Sequence, residues 1–178
     1  MKKSNFWNEA SRGGAIIGLV CVAFALIGML IPKVAFVFNL ASFVAIIYLL
    51  FHFTRSRAAL YSQEGFTYSQ SLGFIVAMAI FTGIVVGAYQ IVAVNWLFTE
   101  QFEKTFDEML MAISQVGVSG AELDEMMEMY RSMIFSPLPS LLTNIFSGVL
   151  TAGFYGLFIA IGVKREPDLF DAEEDDEE

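Results

Sequence analysis

The sequence has few of the residues that build metal, redox and acid–base sites. Its 178 residues include one cysteine, Cys21, and one histidine, His52. A lone cysteine forms no internal disulfide, and a lone histidine with no second ligand or nearby acid gives little support for metal binding or proton transfer. We therefore predict that the protein is not an enzyme and has no catalytic residue, no metal site and no cofactor.

Charge is missing from four long stretches, 13–31, 34–53, 71–97 and 138–163, none of which contains Asp, Glu, Lys or Arg. In an α-helix, about 20 apolar residues cross the ~30 Å hydrocarbon core of a bilayer. The apolar fraction, 56% of the chain, also exceeds that of an ordinary soluble domain. These stretches predict an all-α membrane protein with four transmembrane helices in contact with membrane lipids. Proton-coupled carriers usually hold ionisable groups at membrane depth, so the same absence disfavours that class.

Basic residues are also scarce, with 10 Lys and Arg against 19 Asp and Glu. No basic stripe exists to neutralise phosphates, so we expect no nucleic-acid partner. Most of the Lys and Arg flank one side of the predicted spans, and the positive-inside rule assigns that side to the cytoplasm. This predicts a multi-pass protein of the bacterial cytoplasmic (inner) membrane with both termini in the cytoplasm.

The acidic residues concentrate in two segments outside the spans. In 98–136, apolar residues recur at steps of three and four around a glycine-containing turn, which predicts an extracytoplasmic amphipathic helical hairpin between the third and fourth spans. The segment 166–178 is dense in like charge and predicts a disordered acidic cytoplasmic tail. We therefore expect residues 1–165 to form a single four-helix transmembrane domain.

Methionines are concentrated in the predicted hairpin. Flexible thioethers adapt to varied surfaces, which favours a partner-docking face. The candidate residues for this face are Met109, Met126, Met127 and Tyr130. The alternative is that the two apolar faces bury each other or rest on the membrane surface.

Three carboxamides, Asn39, Gln90 and Asn144, fall in the outer parts of their spans. At similar depth they would line a small outward-facing polar pocket. The alternative is that they hydrogen-bond across helices and fix the packing.

Small residues recur every four positions in three of the spans and let helix backbones approach closely in lipid. The predicted packing positions are Gly14, Gly18, Gly83, Gly87, Gly148, Ala152 and Gly156. They suit a bundle within one chain as well as a homo-oligomer.

Several short motifs occur together in this order. They are Gly13-Gly14 with Gly18, arginines after the second span, Gly65-Phe66-Thr67-Tyr68, Tyr89-Gln90, Gly117-Val118-Ser119 and a glycine-rich last span that ends in Lys164-Arg165. In this layout the chain resembles a bacterial inner-membrane family of unknown function, the domain-of-unknown-function family 4199. The resemblance implies the four-span architecture, and it leaves the function open because the family has no assigned activity or catalytic residues.

For function, the sequence favours a non-enzymatic structural or accessory protein. It would act through helix–helix and hairpin contacts with a second copy of itself or with another membrane protein. The rival hypothesis is a small channel or facilitator with an outer-leaflet polar pocket.

Overall fold

The computed structural model describes residues 5–61, 65–115 and 120–164. These residues form six α-helices and no strand. The helices are α1 (Phe6–Leu30), α2 (Ala35–Ala58), α3 (Tyr68–Val92), α4 (Thr99–Gln115), α5 (Ala121–Phe135) and α6 (Pro137–Val163). Four of them, α1, α2, α3 and α6, are long and apolar enough to cross a membrane. The predicted all-α fold with four membrane-spanning helices is confirmed. The predicted tail, 166–178, and the turn residues 117–119 lie outside the described residues.

Helix α1 begins earlier than its charge-free stretch predicts, and helix α2 ends later than its stretch predicts. The Asn5 side chain accepts a hydrogen bond from the Trp7 amide, which starts α1 before Glu9 and Arg12. Helix α2 continues past residue 53 to Ala58, so its last turns carry Arg55 and Arg57. Ionisable groups therefore lie on spanning helices at one end of the bundle, outside the charge-free stretches of the sequence.

Helix α3 occupies the centre of the bundle. It packs parallel to α1 and antiparallel to α6, while α2 packs mainly against α1. A capping box at Thr67 and Gln70 starts α3, because each side chain accepts a hydrogen bond from the backbone amide of the other residue. At the same end of the bundle lie the beginning of α1 and the ends of α2 and α6.

The connection from α3 to α4 is not one continuous helix. After Val92 the chain makes one π-helical turn, Ala93–Leu97, and at Phe98 it leaves helical geometry with φ −134° and ψ 29°. Only then does α4 begin. Such π-turns occur often beside functional sites because they reorient the side chains around them.

Helices α4 and α5 face each other through a small apolar core. Phe106 on α4 and Leu123 and Met127 on α5 are buried together. The Arg131 guanidinium lies over the rings of Phe106 and Phe135 and comes within 3.7 Å of the Glu103 carboxylate. These contacts accord with the alternative in which the two apolar faces bury each other. The side of the membrane on which the pair lies stays a prediction.

Candidate functional site

A cavity of about 320 Å³ lies where α1, α2 and α3 approach α4. We call it the α4-side cavity. Its polar lining comes from Asn39 on α2 and from Tyr89 and Gln90 on α3, and Phe102 of α4 closes part of its mouth. Ala93, the first residue of the π-helical turn, also lines it. The irregular end of α3 therefore forms one wall of this cavity.

A second cavity of about 330 Å³, the central cavity, lies among all four spanning helices. Its walls carry hydroxyl and carboxamide groups on an otherwise apolar surface. These groups belong to Ser42, Thr82, Asn144, Ser147 and Thr151. Cys21, Ala25 and Val86 line both cavities, so the two are adjacent, and we call them together the cleft.

The structure brings two of the three predicted carboxamides into one cavity and places the third in the next. Asn39 is exposed at the rim of the α4-side cavity, and Gln90 is half-buried in its wall. Asn144 lines the central cavity, and its side-chain nitrogen donates a hydrogen bond of 2.8 Å to the Ser140 carbonyl in its own helix. These three side chains therefore form no mutual cluster, although all of them face the cleft.

Several polar atoms in the cleft wall have no protein partner within the described residues. The side chains of Asn39 and Gln90 make no hydrogen bond there. The Tyr89 hydroxyl is buried and unpaired among these residues. The cost of an unpaired buried polar group, about 1–3 kcal/mol, applies here to the Tyr89 hydroxyl. The Asn39 and Gln90 amides are less buried and can hydrogen-bond a solute in the cleft.

At its other end, the cleft is closed by apolar side chains. Ile17 and Leu50 line the central cavity and are almost fully buried. Met78, which is also fully buried, packs in the same apolar core. Within the described residues, these side chains bound the central cavity at its end away from α4.

The predicted small residues lie at the helix contacts that shape the cleft. A methyl group added at Gly14 would lie 2.4 Å from the Met78 carbonyl oxygen, and one at Gly18 would lie 2.7 Å from Val85. On the other side of α3, an added methyl at Gly83 would lie 2.6 Å from the Ile145 Cα atom. Gly87 meets Leu141, Gly156 meets Leu72 and Ile75, and Ala152 is buried. Gly148 is less crowded, with its nearest atom at 3.6 Å.

A hydrogen bond reinforces the contact between α1 and α3. The Thr82 hydroxyl lies 3.0 Å from the carbonyl oxygens of both Gly14 and Met78. Because Gly14 has no side chain, its carbonyl comes within reach of a residue on the neighbouring helix. This fixes the wall of the central cavity on which Thr82 lies.

The four residues predicted as a docking face do not form one exposed surface. Met127 is only 4% exposed because it packs between α4 and α5, and Met126 is half-buried beside it. Met109 and Tyr130 are exposed. The exposed apolar side chains of this helix pair are instead Met109, Leu110, Met111, Met129, Tyr130 and Met133.

A partly buried ion pair that the sequence does not predict lies at the end of the bundle away from α4. The Arg57 guanidinium, in a residue only 6% exposed, pairs with the Glu9 carboxylate and donates to the Tyr61 hydroxyl at 3.2 Å. The same guanidinium lies 4.9 Å from the ring centres of both Phe6 and Phe74. The spacing of Glu9 and Arg57 in the sequence gives no indication of this pairing, since they belong to different helices.

Comparison with known proteins gives a family and no closer relative. No curated protein and no solved structure was found to match the chain. The family model described as Protein of unknown function (DUF4199) matches residues 12–164, which is well over half of the chain. The chain belongs to this family.

Proposed function

We propose that this protein is a non-enzymatic facilitator for a small uncharged solute in the bacterial cytoplasmic membrane. In this proposal both termini lie in the cytoplasm and the cleft opens on the opposite side, under α4. The proposal rests on one observation, which is that Asn39, Gln90 and Tyr89 all line the α4-side cavity. Carboxamides and a phenol both donate and accept hydrogen bonds, so they suit a neutral polar ligand.

The charge distribution supports an uncharged solute. Among the residues that the structure describes, none of those lining either cavity of the cleft is Asp, Glu, Lys or Arg. An ion would lose its hydration there without gaining an opposite charge, which costs several kcal/mol. A neutral solute loses only hydrogen bonds to water, and the cleft wall can replace them.

Passage past the closed end requires a movement of the apolar residues there. Helix α2 is the element best suited to move, because it has few buried residues and packs mainly on α1. Loosely packed elements open at the lowest free energy. A displacement of α2 would separate Leu50 from Ile17 and extend the cleft.

Solute flux into proteoliposomes tests this proposal. Stopped-flow light scattering with glycerol and with urea should show faster equilibration than in protein-free vesicles. The combined substitutions Asn39→Leu and Gln90→Leu should remove the increase, because they delete the unpaired polar groups of the wall. Gln101→Leu, on the exposed surface of α4, is the matched control and should leave the flux unchanged. Equal rates in protein-containing and protein-free vesicles for both solutes would overturn the proposal.

A second candidate function is that of an accessory protein that contacts another membrane protein or a second copy through α4 and α5. The observation that favours it is the exposed methionine side of this pair, which includes Met109, Met129 and Met133. The small-residue stripes support this candidate less, because Gly14, Gly83 and their neighbours already pack against other helices of the same chain. A photo-crosslinker at Met129 in native membranes should then give a defined adduct, whereas recovery of monomer alone would count against this candidate.

A further inference from the structure

A third cavity, of about 250 Å³, lies at the end of the bundle away from α4, between α1 and the end of α2. We call it the arginine pocket. Its polar lining consists of Glu9, Arg12, Ser56 and Arg57, and its apolar lining includes Ile16, Phe53 and Leu60. It shares no residue with the cleft. A ligand of this pocket would therefore occupy a site distinct from that of the solute in the cleft.

The two arginines of the pocket differ in what they contact. Arg57 is held by the Glu9 carboxylate, by the Tyr61 hydroxyl and by the faces of Phe6 and Phe74. Its charge is compensated and its orientation is fixed. Arg12 is exposed, and it makes no ion pair with any acid in the described part of the chain. Two arginines and one glutamate leave the pocket with one net positive charge, which is carried at Arg12.

The position of the pocket on the bundle defines the kind of molecule that can reach it. It lies beside the first turns of α1 and the last turns of α2, where spanning helices leave the hydrocarbon and enter the headgroup region. Ile16, one turn after Arg12, is exposed, and Phe53, one turn before Arg57, is half-buried; both lie on the hydrocarbon side of the ion pair. A molecule that satisfies both parts of this surface has an anionic group for Arg12 and apolar chains for Ile16 and Phe53.

We propose that the arginine pocket binds the headgroup of an anionic phospholipid. The phosphodiester lies against the Arg12 guanidinium and accepts a hydrogen bond from the exposed Ser56 hydroxyl. The acyl chains extend along Ile16 and Phe53 into the bilayer. Arg57 acts as a positioning residue, because its pair with Glu9 holds the ends of α1 and α2 together and so sets the width of the pocket.

The Glu9 carboxylate gives the pocket selectivity among anions. A small free anion such as inorganic phosphate is attracted by one net positive charge and repelled by a nearby carboxylate. It gains no stabilisation from apolar contacts. A lipid adds the burial of its chains, at about 25 cal/mol per Å² of apolar surface. The pocket therefore favours the lipid over the free anion.

Lipid titration of the full-length, delipidated protein in detergent micelles tests this inference. Native mass spectrometry would count bound dioleoyl-phosphatidylglycerol, with dioleoyl-phosphatidylcholine and inorganic phosphate as the comparison probes. Arg12→Gln should weaken phosphatidylglycerol binding by about fivefold, the effect of one arginine at a membrane surface. Arg55→Gln is the matched control. It removes the same charge from an exposed arginine that lies at the same end of the bundle and does not line the pocket. It should leave binding unchanged.

Three results would overturn the inference. The first is an equal loss of phosphatidylglycerol binding in Arg12→Gln and Arg55→Gln, which would indicate nonspecific attraction between the anionic lipid and basic residues. The second is equal binding of phosphatidylcholine and phosphatidylglycerol. The third is displacement of the lipid by inorganic phosphate, which identifies a free-anion site. Because Arg12 is exposed, its substitution should not alter folding, and an unchanged thermal unfolding midpoint checks this. Ser56→Ala provides a second variant, with a smaller expected loss in the same direction.

Discussion

Arg57 and Glu9 are separated by 48 positions in the sequence and form an ion pair at one end of the bundle. The pair ties the beginning of α1 to the end of α2. The aromatic rings of Phe6 and Phe74 cover the guanidinium, so water screens the pair poorly. This contact therefore joins α1 and α2 at the end of the bundle away from α4.

Breaking the pair from one side should destabilise the protein. Glu9→Gln leaves a buried guanidinium without its counter-charge, which costs about 3 kcal/mol. The double variant Glu9→Gln with Arg57→Met should recover most of this loss, because no uncompensated charge remains. Thermal unfolding in detergent micelles measures both effects, with Arg55→Met as an exposed control. Equal destabilisation by the single and double variants would show that the charge pairing is not the cause.

The close approach of α1 and α3 should depend on Gly14. Gly14→Ala places a methyl group 2.4 Å from the Met78 carbonyl oxygen, a backbone atom that cannot rotate away. Overpacking of this kind costs about 1–3 kcal/mol. Gly153→Ala is the matched control, since no atom lies within 4 Å of the added methyl. Unfolding midpoints that fall equally for both variants, or for neither, would contradict the described contact.

The apolar core between α4 and α5 should depend on Met127 rather than on its exposed neighbours. Met127→Ala removes a buried side chain and should destabilise the helix pair by about 2 kcal/mol. Limited proteolysis of the protein in micelles should then cut within α4 or α5 at a raised rate. Met129→Ala, at a residue that is 51% exposed, should leave the rate unchanged. A reversed ranking of the two variants would mean that Met129 faces the core.

The sequence predicts the spanning helices well because hydropathy over about 20 residues is a local property. It also locates the small residues, which show a four-residue repeat within single helices. It fails where a feature depends on two helices at once. Which helix faces meet decides two of these features: the pairing of Glu9 with Arg57, and the separation of Asn144 from Asn39 and Gln90. The sequence of a single helix does not contain that information.

The irregular end of α3 illustrates the same limit. Residues 93–98 are as apolar as the helix before them, so their composition predicts a continuous helix. The π-helical turn and the break at Phe98 let α4 leave the axis of α3 and bring Phe102 over the cleft. Local propensity contains no signal for such a turn, because tertiary contacts decide it.

The only cysteine of the chain lies where the two cavities join, which makes it a natural probe of the cleft. The most direct test is therefore the labelling of Cys21 by a membrane-impermeant maleimide applied from the side that carries α4 and α5. We expect the maleimide to label Cys21. The substitution Gln90→Trp, which fills the α4-side cavity, should slow this labelling. The control is Leu19→Cys in a Cys21→Ser background, because Leu19 is 61% exposed on the same helix and faces lipid. If Cys21 stays as unreactive as this control, the cleft is not open to water and the account is contradicted.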